Sequence, residues 1–150
     1  GLDLDPRYLT DEDRAILQSE IRFYRSRQAL LHRGVHHSLE APLADSWAWM
    51  RVARDSSQAL VMLLVARVQA NQAARLLKCV GLESSRLYVV HVEVCSSSTS
   101  LLSHWAGSWN QRPPEDRSYS GGELMARGLQ LPPIEHDYAG VRILLDSVGG

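Results

Sequence analysis

The side chains in this sequence that could do chemistry begin with three closely spaced histidines, His32, His36 and His37. Imidazoles bind zinc when two of them lie four residues apart on one face of a helix. Gly34 lies between His32 and the other two, and glycine is the residue that most often ends a helix. We therefore interpret the three histidines as a polar connector after a helix, and we predict neither a metal nor a cofactor.

A nucleophilic site would need a serine or a cysteine in a strained turn beside a general base. The sequence contains no Gly-x-Ser-x-Gly, which is the usual form of such a turn. Cys95 ends an apolar stretch and has no positively charged neighbour that would favour its thiolate. No lysine follows Gly121 and Gly122, so a phosphate-binding loop is not indicated. The sequence predicts neither a hydrolase triad nor a nucleotide site.

Acid–base cleavage of a glycoside needs two carboxyl groups that lie roughly 5 to 9 Å apart across a sugar pocket. The candidate acids occur in a helix cap, in turns or in loops: Asp11, Glu12, Asp13, Asp55, Glu83, Glu115, Asp116, Glu135 and Asp137. Carboxylates at such positions are usually solvated. Because no pattern places two of them face to face, we predict no catalytic residue in this chain.

Four tryptophans form two pairs in the sequence. Trp47 and Trp49 are two residues apart on a predicted strand and share one face, so we expect both in the core. Trp105 and Trp109 flank a predicted loop tip, where their rings could form a flat platform for a sugar or a partner. Aromatic side chains in loops also fix irregular backbone, so both interpretations of this second pair stay open.

The composition sets the broad class of the protein. A chain of 150 residues can form one domain that buries about 70% of its extended surface. The net charge of −1 gives no positive field, so nucleic acid and anionic membranes are not predicted partners. Two cysteines, and apolar runs far shorter than the ~20 residues of a membrane helix, favour a cytoplasmic protein.

A long helix is predicted from about Asp11 to about Arg33. Thr10 followed by Asp13 is a capping pattern, and Gly34 supplies the stop. The apolar stripe of this helix consists of Leu17, Ile21, Tyr24 and Leu31. A stripe of this kind needs a partner that covers it.

Beyond residue 42 the pattern becomes that of β-strands, predicted at residues 47–53, 58–68, 74–80, 87–94 and 141–148. Short polar breaks between the first four predict consecutive antiparallel hairpins. Residues 59–66 are apolar at nearly every position, which predicts a strand covered on both faces. Between residues 95 and 137 the pattern weakens, apart from one possible helical turn at 120–128.

Three groups of segments, taken in order, resemble family 36 α-galactosidases. The group that resembles the end of the family's catalytic barrel comprises Gly1–Asp5, Leu9–Arg25 and Leu30–Gly34. The group that is similar to the family's C-terminal β-sandwich comprises Trp49–Val52, Asp55–Ala59, Leu77–Leu82 and Tyr88. The group that matches the family's closing motif comprises Tyr119–Met125 and Gly128–Pro132. Only Ser96–Arg117 lacks a clear counterpart.

The resemblance implies a mainly β protein, an antiparallel β-sandwich of Greek-key type preceded by one long α-helix that resembles the last helix of a (β/α)8 barrel. It assigns residues 1–40 to the end of the catalytic barrel and residues 41–150 to a C-terminal β-sandwich domain. The implied parent is a glycoside hydrolase of carbohydrate metabolism that hydrolyses terminal α-galactosides of the melibiose or raffinose type with retention. Its nucleophile and its acid/base would both lie upstream of Gly1.

On this interpretation the chain is a non-catalytic portion whose partners are the missing catalytic barrel and, in a homo-oligomer, further copies. The α-galactoside would be bound by the parent only. The helix stripe would pack on the barrel, and in the isolated chain we expect the helix to fold back on the sandwich or to pair with a second copy. Two alternatives stay open, a carbohydrate-binding module that uses Trp105 and Trp109, and a small autonomous enzyme.

Overall fold

The computed structural model describes residues 9–68, 76–95, 118–131, 134 and 137–149. These residues form two helices and six strands, which in chain order are α1 (Asp11–Arg33), β1 (Val35–Leu39), β2 (Ser46–Val52), β3 (Gln58–Val65), β4 (Leu87–Cys95), β5 (Ser118–Ser120), α2 (Gly121–Ala126) and β6 (Ala139–Ser147). The strands make one antiparallel sheet in the order β1-β2-β3-β6-β4-β5. The predicted fold class, mainly β and antiparallel with one long helix in front, is confirmed.

Helix α1 begins and ends at the predicted residues because both of its ends are capped. The Asp13 amide donates to the Thr10 hydroxyl, and the Thr10 amide donates to the Asp13 carboxylate, both at 3.1 Å. The Thr10 hydroxyl also donates to that carboxylate and holds the pKa of Asp13 below its usual value. The helix ends at Gly34, which is extended while its amide still donates to the Leu30 carbonyl oxygen at 2.9 Å. A Cβ at this position would lie 2.5 Å from the same oxygen, so only glycine fits.

Strand β6 lies between β3 and β4, so of the predicted run of consecutive hairpins only the one between β2 and β3 is present in the described residues. The chain forms β4 and β5 before it returns to fill the gap between β3 and β4. The reason lies in the residues of β6, of which five in a row, 141–145, are buried. A strand that is apolar toward both faces is best placed in the middle of a sheet, where both faces are covered.

Two further expectations are wrong at the margins of the sheet. Of the strand predicted at 74–80, residues 76–80 are described, and they form only a single bridge, between Leu77 and Leu129. The polar connector predicted around His36 and His37 is instead the edge strand β1, which pairs with β2 over five residues. An edge strand has one unpaired side and tolerates polar side chains, so its pattern did not indicate a strand.

One face of the sheet, here called the core face, carries the larger hydrophobic core. Its side chains include Met50, Val61, Tyr88 and Ile143, none of them more than 1% exposed. A second layer packs on this face through Leu77, Cys79, Leu82, Leu124 and Leu131. The alternation predicted for residues 87–94 is confirmed, because Tyr88 and Val90 are buried while His91 and Glu93 are exposed.

Replacing Tyr88 by phenylalanine is expected to destabilise the chain by about 1 to 3 kcal/mol. The buried Tyr88 hydroxyl donates to the Ser56 carbonyl oxygen at 2.8 Å and accepts from the Glu83 amide at 3.4 Å. The phenylalanine variant keeps the ring but leaves both backbone groups without this partner. Urea unfolding of the two proteins measures the loss, and equal midpoints would contradict the assigned role of the hydroxyl.

Burial raises the pKa of the Cys79 thiol from its ordinary value of 9.0 to about 12. Above pH 9 the unfolded chain releases a proton that the folded chain retains, so the free energy of unfolding should fall by up to about 1.4 kcal/mol per pH unit between pH 9 and 12. A Cys79→Val variant is expected to lose less stability over that pH range. Urea unfolding at pH 8, 9.5 and 11 tests this, and identical pH dependence in the two proteins would contradict the assignment.

Candidate functional site

The opposite face of the sheet, here called the helix face, is where α1 packs. Leu30 of α1 lies against Leu60 of β3 and Leu144 of β6, and these three side chains are at most 7% exposed. Partly buried neighbours complete this smaller core: Phe23, Leu31, Trp49, Ala53 and Met62. The helix that precedes the sheet in sequence is therefore packed on it in space.

Two ion-pair groups join α1 to strand β6. The Arg27 guanidinium donates to both carboxylate oxygens of Asp146, at 2.6 and 2.8 Å. Arg142, only 8% exposed, donates to the two carboxylate oxygens of Glu20 at 2.8 and 3.3 Å. Its Nε also donates to Glu93 of β4 at 2.6 Å, and its guanidinium carbon lies 3.7 Å from the centre of the Phe23 ring.

The side of α1 that contacts the sheet differs from the apolar stripe that the sequence predicted. Contact is made by Glu20, Phe23, Arg27 and Leu30, whose spacings of three, four and three residues place them on one side of a helix. The predicted stripe is centred about 90° further around the helix axis. The predicted stripe was assigned to the catalytic barrel. The side that contacts the sheet was not predicted because two of its four residues are charged, and apolar periodicity does not count them.

The rest of the predicted stripe, here called the apolar flank (Leu17, Ile21 and Tyr24), is only partly covered. Leu17 and Ile21 are half-buried, and Tyr24 is 44% exposed. The Tyr24 hydroxyl lies 2.7 Å from Nε2 of His32. The flank thus offers apolar surface along more than a turn of α1, beside the side that the sheet already covers.

Strand β3 is also covered by α1 along only part of its length. The sequence predicted that residues 59–66 are covered on both faces, and Leu60 is indeed buried beneath α1. Leu64, on the same face, is 53% exposed, so the prediction is wrong at that end of the strand. The difference arises because α1 packs over the end of the helix face that carries Leu60 and Asp146 and not over the opposite end, which carries Leu64.

Besides Asp13 in the cap of α1, three of the candidate acids are engaged in local structure. Asp55 accepts hydrogen bonds from the Ser57 hydroxyl and amide, and the hydroxyl bond lowers the pKa of Asp55. Glu83 pairs with Arg86 at 3.1 Å, and Asp137 accepts from the Val68 amide at 2.8 Å. Glu115, Asp116 and Glu135 lie outside the described residues.

The structure brings together two acids that sequence reasoning had not paired, Glu20 and Glu93. Both carboxylates bind the Arg142 guanidinium, and both side chains are about half exposed. Both acids therefore help to hold α1 on the sheet through Arg142.

The three histidines point to different surroundings. His32 contacts Tyr24, and the His36 ring lies 5.9 Å from the Trp49 ring. His37 lies on the other side of β1, where a Cβ at Gly81 would be 2.6 Å from its Nε2. In the part of the chain that the structure describes, no three His, Cys, Asp or Glu side chains come close enough to hold a metal ion.

Trp47 and Trp49 lie on the same face of the sheet, as predicted, but they are not both in the core. Trp49 packs at the edge of the α1 cluster, whereas Trp47 is 59% exposed, so the core assignment is wrong for Trp47. The reason is that α1 covers only part of this face. Trp105 and Trp109 lie outside the described residues, and their proposed platform stays a prediction. No helix in the described ranges is both long and apolar enough to span a membrane.

The described residues thus form an antiparallel sheet that carries α1 on one face, joined by ion pairs, and a second layer on the other face. Residues 46–145 match the Glycosyl hydrolase family 36 C-terminal domain. The chain therefore belongs to this family, and the predicted resemblance to the family's C-terminal region is confirmed.

Two curated relatives support the same assignment. The chain is 29% identical to the bifunctional alpha-galactosidase/sucrose kinase AgaSK of Mediterraneibacter gnavus. The aligned segment of 139 residues covers 92% of this chain and 12% of AgaSK. It is 30% identical over 149 residues to the alpha-galactosidase AgaA of Geobacillus stearothermophilus, covering 99% of this chain and 17% of AgaA. The chain thus spans less than a fifth of the length of either relative.

Solved structures give the same fold. The galactosidase domain of AgaSK superposes with a TM-score of 0.74, and the GH36 alpha-galactosidase AgaB of Geobacillus stearothermophilus with 0.75, each at 25% identity. Both matches cover 97% of this chain and 17% of the other. An alpha-galactosidase from Lactobacillus brevis has the same fold, with a TM-score of 0.77 at 17% identity, over 98% of this chain and 18% of the other.

Proposed function

We propose that this chain is the non-catalytic C-terminal portion of a retaining α-galactosidase and that it supports the catalytic portion through α1. The parent would hydrolyse terminal α-galactosides of the melibiose or raffinose type. The observation that carries the proposal is the combination of family and coverage, since the chain matches only 12% and 17% of its curated relatives. The contacts of Asp13, Asp55, Glu83 and Asp137 with nearby backbone or side chains support a structural role.

The apolar flank of α1 is the surface that we assign to the contact with the catalytic portion. Burying side chains such as Leu17, Ile21 and Tyr24 would contribute roughly 1.5 to 3 kcal/mol each if their cover were complete. They are only partly covered in this chain, so part of that contribution is still available to a partner. The predicted division at residue 40 remains a proposal. In the structure, α1 packs on the sheet and β1 is its edge strand, although both lie upstream of residue 40.

The proposal can be tested on AgaA from which the 17% that aligns with this chain has been removed. We expect the shortened enzyme to lose thermal stability, and we expect fusion of this chain in the vacant place to restore it with an unchanged KM. The KM is the informative quantity, because a supporting domain should leave the substrate site intact. A shortened enzyme as stable and as active as the parent would contradict the supporting role.

We also propose that the parent is a homo-oligomer to which this domain contributes. In the isolated chain the apolar flank is the surface most suited to pairing with a second copy. Light scattering during size-exclusion chromatography measures the mass of the chain and of a Leu17→Glu variant. A strict monomer whose Leu17→Glu variant is as stable as the parent chain would contradict a role of this flank in association.

A further inference from the structure

Arg142 is the most buried charged side chain in the part of the chain that the structure describes. It is 8% exposed, whereas the acids that bind it, Glu20 and Glu93, are 48% and 47% exposed in their side chains. A buried cation is costly unless its hydrogen-bond donors are satisfied. Here Glu20 of α1 and Glu93 of β4 accept hydrogen bonds from the Arg142 guanidinium, so the burial of this charge depends on α1 being in place.

The contacts of Arg142 use the whole guanidinium group. Nη1 and Nη2 donate to Glu20, Nε donates to Glu93, and the face of the group lies 3.7 Å from the centre of the Phe23 ring. A planar fork can make two-point contacts at its edge and stack on an aromatic ring at the same time, which a lysine ammonium cannot. Glu20 and Phe23 both belong to α1, so one side chain of β6 holds two positions of the helix.

In the second ion pair on β6, the positive and negative partners are exchanged between strand and helix. At Arg142 the strand supplies the cation and α1 the acid, while at Asp146 the strand supplies the acid and α1 the cation, Arg27. Glu20 and Arg27 are about 10 Å apart along a helix, and Arg142 and Asp146 about 13 Å apart along a strand. Because these two separations are similar, both ion pairs can form at the same time when the helix runs in one particular direction along β6.

A helix reversed on this face would bring Glu20 toward Asp146 and Arg27 toward Arg142, which places like charges together. A helix rotated to bury the apolar flank against the sheet would lose both pairs. Charged pairs of this kind specify orientation more effectively than they add stability. The arrangement therefore selects one direction and one rotation of α1, and in that orientation the flank is left uncovered.

We propose that Arg142, together with Asp146, is a positioning residue that fixes α1 on the helix face and thereby presents the apolar flank to the catalytic portion of the enzyme. The structural unit then starts at α1, upstream of the family match at residue 46. The identity of the partner rests on the proposed function. The fixing of α1 does not, and it can be measured on this chain alone.

The test uses trypsin, because Arg22 and Arg25 of α1 are exposed and can be cleaved once the helix leaves the sheet. In Arg142→Met we expect the initial rate of cleavage after these residues to rise by about tenfold or more. Arg142→Lys, which keeps the charge and loses the planar fork, should lie between this variant and the parent. The matched control is Arg127→Met, since Arg127 is 80% exposed and pairs only with Glu123 of its own helix, at 3.8 Å.

If Arg142→Met fails to fold, exchanging the charges of Arg27 and Asp146 provides a second test. Arg27→Asp and Asp146→Arg should each accelerate cleavage in α1, and the double variant should return it toward the parental rate. Parental cleavage rates in folded Arg142→Met, or a double exchange no better than the single ones, would overturn the inference. If α1 behaves as expected while shortened AgaA gains nothing from this chain, the proposed function fails and the positioning of α1 stands.

Discussion

Replacing Gly121 by alanine is expected to destabilise this domain by about 3 kcal/mol or more, because there is no room for a side chain. Gly121 is buried where α2 begins, and its amide donates to the Arg86 carbonyl oxygen at 2.9 Å. A Cβ at this position would overlap the Glu83 carbonyl oxygen and lie 2.9 Å from the carbonyl carbon. Both obstacles are backbone atoms, which cannot move aside as a flexible side chain can.

The neighbouring glycine provides the matched control for this prediction. A Cβ at Gly122 would lie 3.2 Å from the nearest atom, the Ser84 carbonyl oxygen, and alanine is favoured in a helix. We therefore expect Gly122→Ala to change the unfolding free energy by less than about 1 kcal/mol. Urea unfolding of both variants tests the prediction, and equal losses at the two positions would show that the close approach at Gly121 is not what the chain requires.

Replacing Leu30 by alanine is expected to cost about 2 to 5 kcal/mol, the range measured for buried leucines. Leu30 is 4% exposed and lies between α1 and the sheet, in contact with the cluster around Leu60 and Leu144. Because Trp49 borders the same cluster, its fluorescence should report the loss of packing.

The comparison variant is Leu17→Ala on the apolar flank, for which we expect about 1 kcal/mol or less in this chain. Leu17 is only half-buried, so its removal leaves little of a cavity. A helix that turned the apolar flank toward the sheet would bury Leu17 more deeply than Leu30 and would give the opposite order. A larger loss for Leu17→Ala than for Leu30→Ala would therefore contradict the docking side of α1 described here.

The features that could be predicted from the sequence are those set by neighbouring residues. The bounds of α1 follow from Thr10, Asp13 and Gly34, which lie within four residues of the helix ends. The alternation of β4 follows from the two faces of one strand, as Tyr88 and His91 illustrate. The resemblance to the family also rested on short segments in a fixed order, and the comparisons confirm it.

The features that could not be predicted depend on partners far away in the chain. Arg142 meets Glu20 across 122 residues, and Arg27 meets Asp146 across 119. Nothing in the spacing around either pair indicates its partner, so the side of α1 that contacts the sheet could not be predicted. The sequence also marks Gly121 only as part of a resemblance, whereas the reason for it, the approach of the Glu83 backbone, exists only in the folded chain.

The central claim is that the chemistry of this enzyme family is not carried by these 150 residues. The most direct measurement is the hydrolysis of a chromogenic α-galactoside by the purified chain, with AgaA as the positive control in the same assay. We expect no release of chromophore above the buffer rate at any concentration of the folded chain. A rate that rises in proportion to the chain, and that a single carboxylate substitution abolishes without unfolding it, would contradict the account.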